Sequence, residues 1–155
     1  MDGILHYIND ANTRFTNLLY TNKRRKFWKL ARIDINDVPY VRDGDDYNEC
    51  LFDDRYDLTI FYIENGDRKM DLPSFESKVD LICTFNMNNF SSYEHDDIVN
   101  KVVNILQVTP FKIDNISFDS EALKGFDYSA KMSDSMRPYF VFRIKTKLVG
   151  QLKQK

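Results

Sequence analysis

The stretch that decides the fold is KVDLICTFNM, from Lys78 to Met87. Apolar and polar residues alternate along it, which is typical of a β-strand with one face against a core. The apolar face carries Val79, Leu81, Cys83, Phe85 and Met87, while Lys78, Asp80, Thr84 and Asn86 share the other face with Ile82. A strand that is mostly polar on one side predicts an antiparallel or mixed sheet.

Four other segments have the composition of strands, and they lie at 27–33, 57–64, 111–118 and 139–148. Residues 111–118 alternate less regularly than the others. Asn65-Gly66 follows one strand directly and favours a tight hairpin turn. Because Leu72-Pro73 and Ser74 separate this turn from Lys78, we expect that hairpin to be long or bulged. A further short strand is expected at 49–52.

The last of these strands has two different faces. Phe140, Phe142, Ile144 and Leu148 point one way, and Val141, Arg143, Lys145 and Lys147 point the other. Since charged side chains are rarely buried without partners, the second set indicates a face that is wet or meets a polar partner.

Two helices are predicted beside the strands. Ile4, Ile8, Ala11, Phe15, Leu18 and Leu19 recur at steps of three and four, so residues 3–21 form an amphipathic helix. Ser91 and Glu94 have the spacing of a capping box at the start of a second helix, 92–107. That helix directs Ile98, Val99, Val102, Val103 and Leu106 inward.

The element order α-β-loop-β-β-α-β-β predicts an α+β fold. Both helices are expected on the apolar side of one mainly antiparallel sheet, as a two-layer sandwich. Residues 1–155 show no repeat or Pro/Gly-rich linker, so they make a single domain. Two polar segments, the acidic loop 34–56 and the insertion 119–136, are long for connections, and loops of this length are often functional.

Composition excludes several classes of protein. Of 155 residues, 43% are hydrophobic and 30% charged, which suits a folded chain, and the net charge of -2 gives no drive towards nucleic acid or membranes. Two cysteines are too few for a disulfide framework. No apolar run approaches the ~20 residues that span a bilayer. With no signal sequence at the start, we expect a protein that is made and kept in a reducing, aqueous compartment and associates with no membrane.

Charge is unevenly distributed along the chain. A basic stretch at 23–32 precedes an acidic one at 34–57, and the C-terminal segment is basic again. Such segregation suits head-to-tail contacts between copies, although a solvated surface explains it equally. The basic cluster Lys23–Lys26 beside Phe27 and Trp28 could bind nucleic acid, but cations at a helix C-terminus explain the same residues.

No catalytic or metal-binding pattern is present. His6, His95, Cys50 and Cys83 have no zinc spacing, and Cys83 lies on the inward face of its strand. In the acidic run from Asp43 to Glu49, the glycine and the glutamate come too early for an EF-hand. There is no glycine-rich phosphate loop or nucleophile elbow. We therefore expect no cofactor, no metal and no enzymatic activity.

The element order, with the stretches YDLTIFYIENGD (56–67), DIVNKVVNILQ (97–107) and RPYFVFRIKTKL (137–148), resembles the tail-terminator family. More broadly, it is similar to the head-tail neck ring proteins of tailed bacteriophages. The resemblance covers most of the chain but contains no diagnostic motif. It implies a structural virion protein, a homo-oligomeric ring of six or twelve copies at the head-tail joint. The ring would join the portal-connector to tail proteins, and DNA would only pass through its lumen.

This resemblance gives the charged segments expected roles. An acidic channel lining would repel DNA and let it slide, and the candidates are Asp43, Asp45, Asp46, Asp53 and Asp54. Candidates for contacts between subunits or stacked rings are Arg24, Arg25, Phe27, Trp28, Tyr47, Phe52, Arg143, Lys145 and Lys147. The alternative from the residues alone is a small cytosolic adaptor that binds one protein and has no catalytic activity.

Overall fold

A computed structural model of the chain describes residues 3–16, 25–33, 39–41, 56–90, 92–122 and 139–151; within 25–33, 39–41 and 119–120 it describes the backbone only. The helices are α1 (Gly3–Phe15), α2 (His95–Gln107) and α3 (Asp119–Ala122). The strands are β1 (Arg25–Ile33), β2 (Pro39–Val41), β3 (Leu58–Glu64), β4 (Lys69–Asp71), β5 (Ser74–Asn86), β6 (Phe111–Phe118) and β7 (Tyr139–Gln151).

These strands form one mainly antiparallel sheet in the order β2-β1-β3-β5-β7-β6, and β4 pairs with β5 beside that path. β1 and β3 run parallel, so the sheet is mixed, as the alternation of polar and apolar residues allowed. The central ladder joins β5 to β7 over thirteen residue pairs, from Ser74 and Gln151 to Asn86 and Tyr139. The expected α+β class is confirmed.

The helices α1 and α2 pack on one face of the sheet, which we call the helix face. Their buried side chains cluster with those that β3, β5 and β7 direct to that face; the buried helix residues are Ile4, Ile8, Ala11, Phe15, Ile98, Val102 and Leu106. The stripe predicted for the first helix is therefore buried as expected, up to Phe15. Tyr62 also donates a hydrogen bond from its hydroxyl to Asn12 Oδ1 at 2.7 Å, which ties β3 to α1.

The second helix begins three residues later than the sequence predicted. Its N-cap is Glu94, and the Asp97 carboxylate accepts a hydrogen bond from the Glu94 backbone N–H at 3.3 Å. Carboxylates at this position complement the partial positive charge of the helix N-terminus. The expected cap, Ser91, and the predicted continuation of the first helix beyond residue 16 lie outside the described residues.

A β-bulge explains the irregular alternation of β6. Its pairing with β7 shifts between Ile113 and Asn115, so Asp114 is an extra residue in a β-bulge. Because a slip of one residue exchanges the two faces, the extra residue changes which face the following residues of β6 occupy. Ile113 and Ile116 both pack towards the core as a result.

The face of the sheet opposite the helices, the far face, differs from its prediction. Phe61, Ile63, Ile82 and Val141 are fully buried there, and Arg143 is 6% exposed. The expectation that this face is wet or polar is therefore wrong for its centre. The physical reason lies in β3 and β5, whose apolar residues form continuous runs that need cover on both sides. Among its described residues, the far face is exposed at one end of β5, β7 and β6, where Lys78, Lys145 and Lys112 lie.

Gly150 lies where Tyr7 of α1 packs against the sheet. A Cβ added to this residue would lie 2.5 Å from Tyr7 Cε2 and 2.9 Å from Phe75 Cζ. The Tyr7 hydroxyl accepts a hydrogen bond from the backbone N–H of Gln151 at 3.0 Å, so the ring is held in place. Only glycine fits between the two rings without moving one of them.

We expect Gly150→Ala to lower the free energy of unfolding by about 1–3 kcal/mol, because one methyl group overpacks this contact. Urea denaturation followed by circular dichroism measures the change. Val149→Ala is the matched control, since Val149 is 45% exposed and should change stability by no more than about 0.5 kcal/mol. Equal midpoints for the Gly150 variant and the wild type would refute this account of the contact.

Candidate functional site

Three lysines form a row across three adjacent strands at the β6 edge of the far face. Lys147 of β7 lies directly opposite Lys78 of β5 on one side and Lys112 of β6 on the other. We call these three residues the lysine row. Lys145, one step further along the same face of β7, adds a fourth exposed cation. Side chains directly opposite in a sheet are ~5 Å apart at Cβ, so like charges there repel.

A single carboxylate offsets part of this charge. The Glu76 carboxylate forms an ion pair with Lys147 Nζ at 3.1 Å and a longer one with Lys69 Nζ at 3.7 Å. The hydrogen bond from Lys147 is the largest cause that holds the pKa of Glu76 below its usual value, and burial opposes it. No described carboxylate forms an ion pair with Lys78, Lys112 or Lys145. The surface therefore keeps an excess of positive charge.

An open groove of about 270 Å³ adjoins the lysine row. It is lined by Lys69, Met70, Asp71, Ser74, Phe75, Glu76 and Val149. Two of its apolar side chains are exposed, Met70 by 50% and Val149 by 45%, and Leu72 beside it is 71% exposed. Glu76 and Val149 pair directly with each other one step along the same strands from Lys78 and Lys147. Positive charge and the exposed side chain of Val149 thus meet at one end of the far face, while Met70 lies opposite Phe75 on the other face.

A buried ion pair separates the lysine row from the apolar centre of the far face. Arg143 donates from Nη2 and Nε to Asp80 Oδ2, at 2.6 and 2.9 Å, and both side chains are buried. Arg143 Nη1 also donates to the Ala122 carbonyl at 3.5 Å, so α3 lies against this face. Thr59 and Thr84, paired across β3 and β5 on the same face, have buried hydroxyls without a hydrogen-bond partner.

We expect Arg143→Met to destabilise the fold by about 3–5 kcal/mol, because it leaves the Asp80 carboxylate buried without its cation. The double variant Arg143→Met with Asp80→Leu should recover most of that loss, since it removes both charges. Chemical denaturation of the two variants measures the difference. Arg14→Met, which removes an exposed pair with Asp10, serves as the control and should cost less than about 1 kcal/mol.

Few of the predicted site residues fall in the described part of the chain. Lys145 is exposed and Lys147 is half-exposed, so both remain available for the contacts predicted for them. The guanidinium of Arg143 is buried and already bonded to Asp80, and this internal role was missed. For Arg25, Phe27 and Trp28, only the backbone of β1 is described. Outside the described residues lie Arg24, Tyr47, Phe52, Asp43, Asp45, Asp46, Asp53 and Asp54, whose roles stay predictions.

The described groups that could carry chemistry are not arranged for it. Cys83 is fully buried, and burial raises the pKa of its thiol well above the usual value. His95 is exposed and stacks on Phe140, with 3.9 Å between ring centroids. Within the described residues, no group of three or more His, Cys, Asp or Glu side chains could hold a metal ion.

Cys83 should be unreactive in the native state, because burial disfavours the thiolate that attacks thiol reagents. In a Cys50→Ser variant, we expect labelling by a disulfide reagent at pH 8 to proceed only as fast as the protein unfolds. The labelling rate should therefore rise with urea along the unfolding transition. Rapid labelling in the absence of urea would show that the thiol is accessible.

Sequence reasoning missed two members of the lysine row, Lys78 and Lys112. Lys78 was recognised as a polar position on its strand, and Lys112 lies within the predicted strand 111–118, but the strands that bring them to Lys147 are far apart in the sequence. The signal that was available is the face of the strand on which each lysine lies. Lys78 shares its face with Asp80, and Lys147 shares its face with Lys145. The face of a residue does not give the register between two strands, so the row could not be predicted.

Comparison with known proteins adds no family to this geometry. The sequence matches no protein-family model and no curated protein. None of the helices in the described ranges has the length and apolar character that crossing a bilayer demands.

Proposed function

We propose that this chain is a non-catalytic structural protein that assembles into a ring at the head-tail joint of a tailed phage. The observation that carries the proposal is the exposed lysine row at one edge of the sheet, in a fold whose element order resembles the neck ring proteins. An exposed row of like charges costs stability in the isolated chain. It becomes favourable when an oppositely charged neighbour covers it.

A closed ring needs a head-to-tail interface, in which each copy offers two different surfaces. This chain has two regions of opposite charge that would supply them. One is the lysine row on β5, β7 and β6, and the other is the acidic stretch 43–54, which follows β2 in the sequence. A chain with two surfaces of complementary charge can repeat around an axis without a second kind of subunit.

Within the virion, such a ring would lie between the portal-connector and the tail proteins, and DNA would pass through its lumen without specific binding. The groove beside the lysine row offers exposed apolar surface for a neighbouring protein, and aromatic or aliphatic contacts of this kind anchor protein interfaces. Catalysis is not part of the proposal, since the Cys83 thiol is fully buried and the exposed His95 ring stacks on Phe140.

The test is the assembled state in particles purified from the phage that encodes the chain. We expect mass spectrometry to detect the protein in the particles and cryo-electron microscopy to show it as a closed ring at the head-tail joint. Native mass spectrometry of the isolated protein at high concentration should give a matching copy number. Absence from purified particles, or a stable one-to-one complex with a single host protein, would contradict the ring and favour a small adaptor.

A further inference from the structure

The lysine row is the strongest unexplained feature of the described surface. Register places Lys78, Lys147 and Lys112 directly opposite one another, and only Lys147 has a described carboxylate partner. Like charges directly opposite each other in a sheet are destabilising. A sheet that contains two such oppositions in succession is under electrostatic strain that an anionic partner would relieve.

We infer that the lysine row binds the acidic segment 43–54 of a second copy of this chain. The inference rests on the proposed ring and names the contact that would hold its subunits together. The segment reads DGDDYNECLFDD and contains six carboxylates and no lysine or arginine. The segment is thus complementary in charge to the row, and every copy of the chain carries both.

The apolar residues of the segment fit the surface beside the row. Leu51 and Phe52 lie within three residues of Glu49 and Asp53, so one extended strand could present both charge and apolar side chains. The groove next to Lys147 offers Met70 and Val149 as its exposed apolar lining. A purely charged partner would leave this exposed apolar surface uncovered, whereas the segment 43–54 would cover both the lysine row and the groove.

The proposed ring favours a contact between copies over one within a copy. A head-to-tail contact joins two different surfaces of the same chain. The lysine row lies on β5, β7 and β6, and segment 43–54 lies in the sequence between β2 and Tyr56. The row and the segment would therefore supply the two surfaces that such a contact requires.

DNA is a weaker fit to the same surface. The chain carries a net charge of -2, so its long-range field does not attract a polyanion. The row is also flanked by Glu76 and Asp114, two carboxylates that would meet the phosphates. The acidic segment 43–54 carries uncharged residues between its carboxylates, and these can face Glu76 and Asp114. A phosphate backbone is uniformly charged and has no such positions.

The first experiment measures the binding of the segment to the lysine row separately from ring assembly. A fluorescent peptide of residues 43–54 is titrated with the full-length chain, and binding is followed by anisotropy. We expect the double variant Lys78→Glu with Lys112→Glu to weaken binding by about tenfold or more, as two attractive charge pairs become repulsive. Lys101→Glu with Arg14→Glu applies the same charge change on helices α1 and α2, away from the row and the groove, and should leave the affinity within about threefold. Circular dichroism confirms that each variant is folded.

The second experiment asks whether the contact joins two copies. The row variant is mixed with a second variant, Asp45→Lys with Asp46→Lys and Asp53→Lys, in which the segment is basic. We expect each variant alone to sediment as a monomer and the mixture to form a complex that higher salt dissociates. Combining all five substitutions in one chain should restore self-association.

Several outcomes would overturn the inference. Peptide binding that is unchanged by the row variant would remove the lysines from the contact. If the mixture stays monomeric while the peptide still binds the row, the segment binds within its own copy. Tighter binding of a duplex of about 12 base pairs, lost in the same row variant, would assign the surface to nucleic acid.

The inference and the proposed ring can fail separately. Particles that contain the row variant as a normal ring would leave the ring intact and refute this contact. A wild-type chain that is absent from particles, but whose two charge-swapped variants associate, would preserve the contact and refute the ring.

Discussion

The ladder between β5 and β7 is the constraint on which the rest of the structure depends. It joins thirteen residue pairs in one register and lies between β3 on one side and β6 on the other. Because strand side chains alternate, a slip by one residue would turn Phe142 and Ile144 away from the helices. It would also separate Arg143 from Asp80, leaving two charges buried without partners. One register therefore fixes both the core and the buried ion pair.

The same register creates the electrostatic cost at the edge of the far face. Lys147 cannot move away from Lys78 and Lys112 unless the ladder that buries Leu148 and Ile144 moves with it. Packing on the helix face thus determines the charge pattern on the opposite face. Apolar burial contributes about 1.5–3 kcal/mol for each large side chain, which exceeds the repulsion between exposed lysines. The fold tolerates the row because the core outweighs it.

The sequence was sufficient for the parts of the fold that depend on local periodicity. The stripe from Ile4 to Phe15, the helix-face residues of β5 and the α+β class all follow from spacing, and they are confirmed. The burial of the far face was missed because the continuous apolar runs of β3 and β5 were treated as alternating. The lysine row and the Asp80–Arg143 pair depend on register between distant strands, which composition and periodicity do not encode. The ring, its acidic lumen and its partners stay predictions.

A contact made of exposed charges suits a subunit that must remain separate before it assembles. Single exposed ion pairs are worth ~0.2–1 kcal/mol, so two copies held by a few of them separate readily in dilute solution. Closing a ring changes this balance, because each copy is then held by two neighbours, and the last contact forms within one assembly. Weak contacts can therefore give a stable ring without giving stable intermediates. In the proposed contact, the exposed apolar side chains of Val149 and Met70 would add the short-range attraction that charge alone lacks once salt screens it.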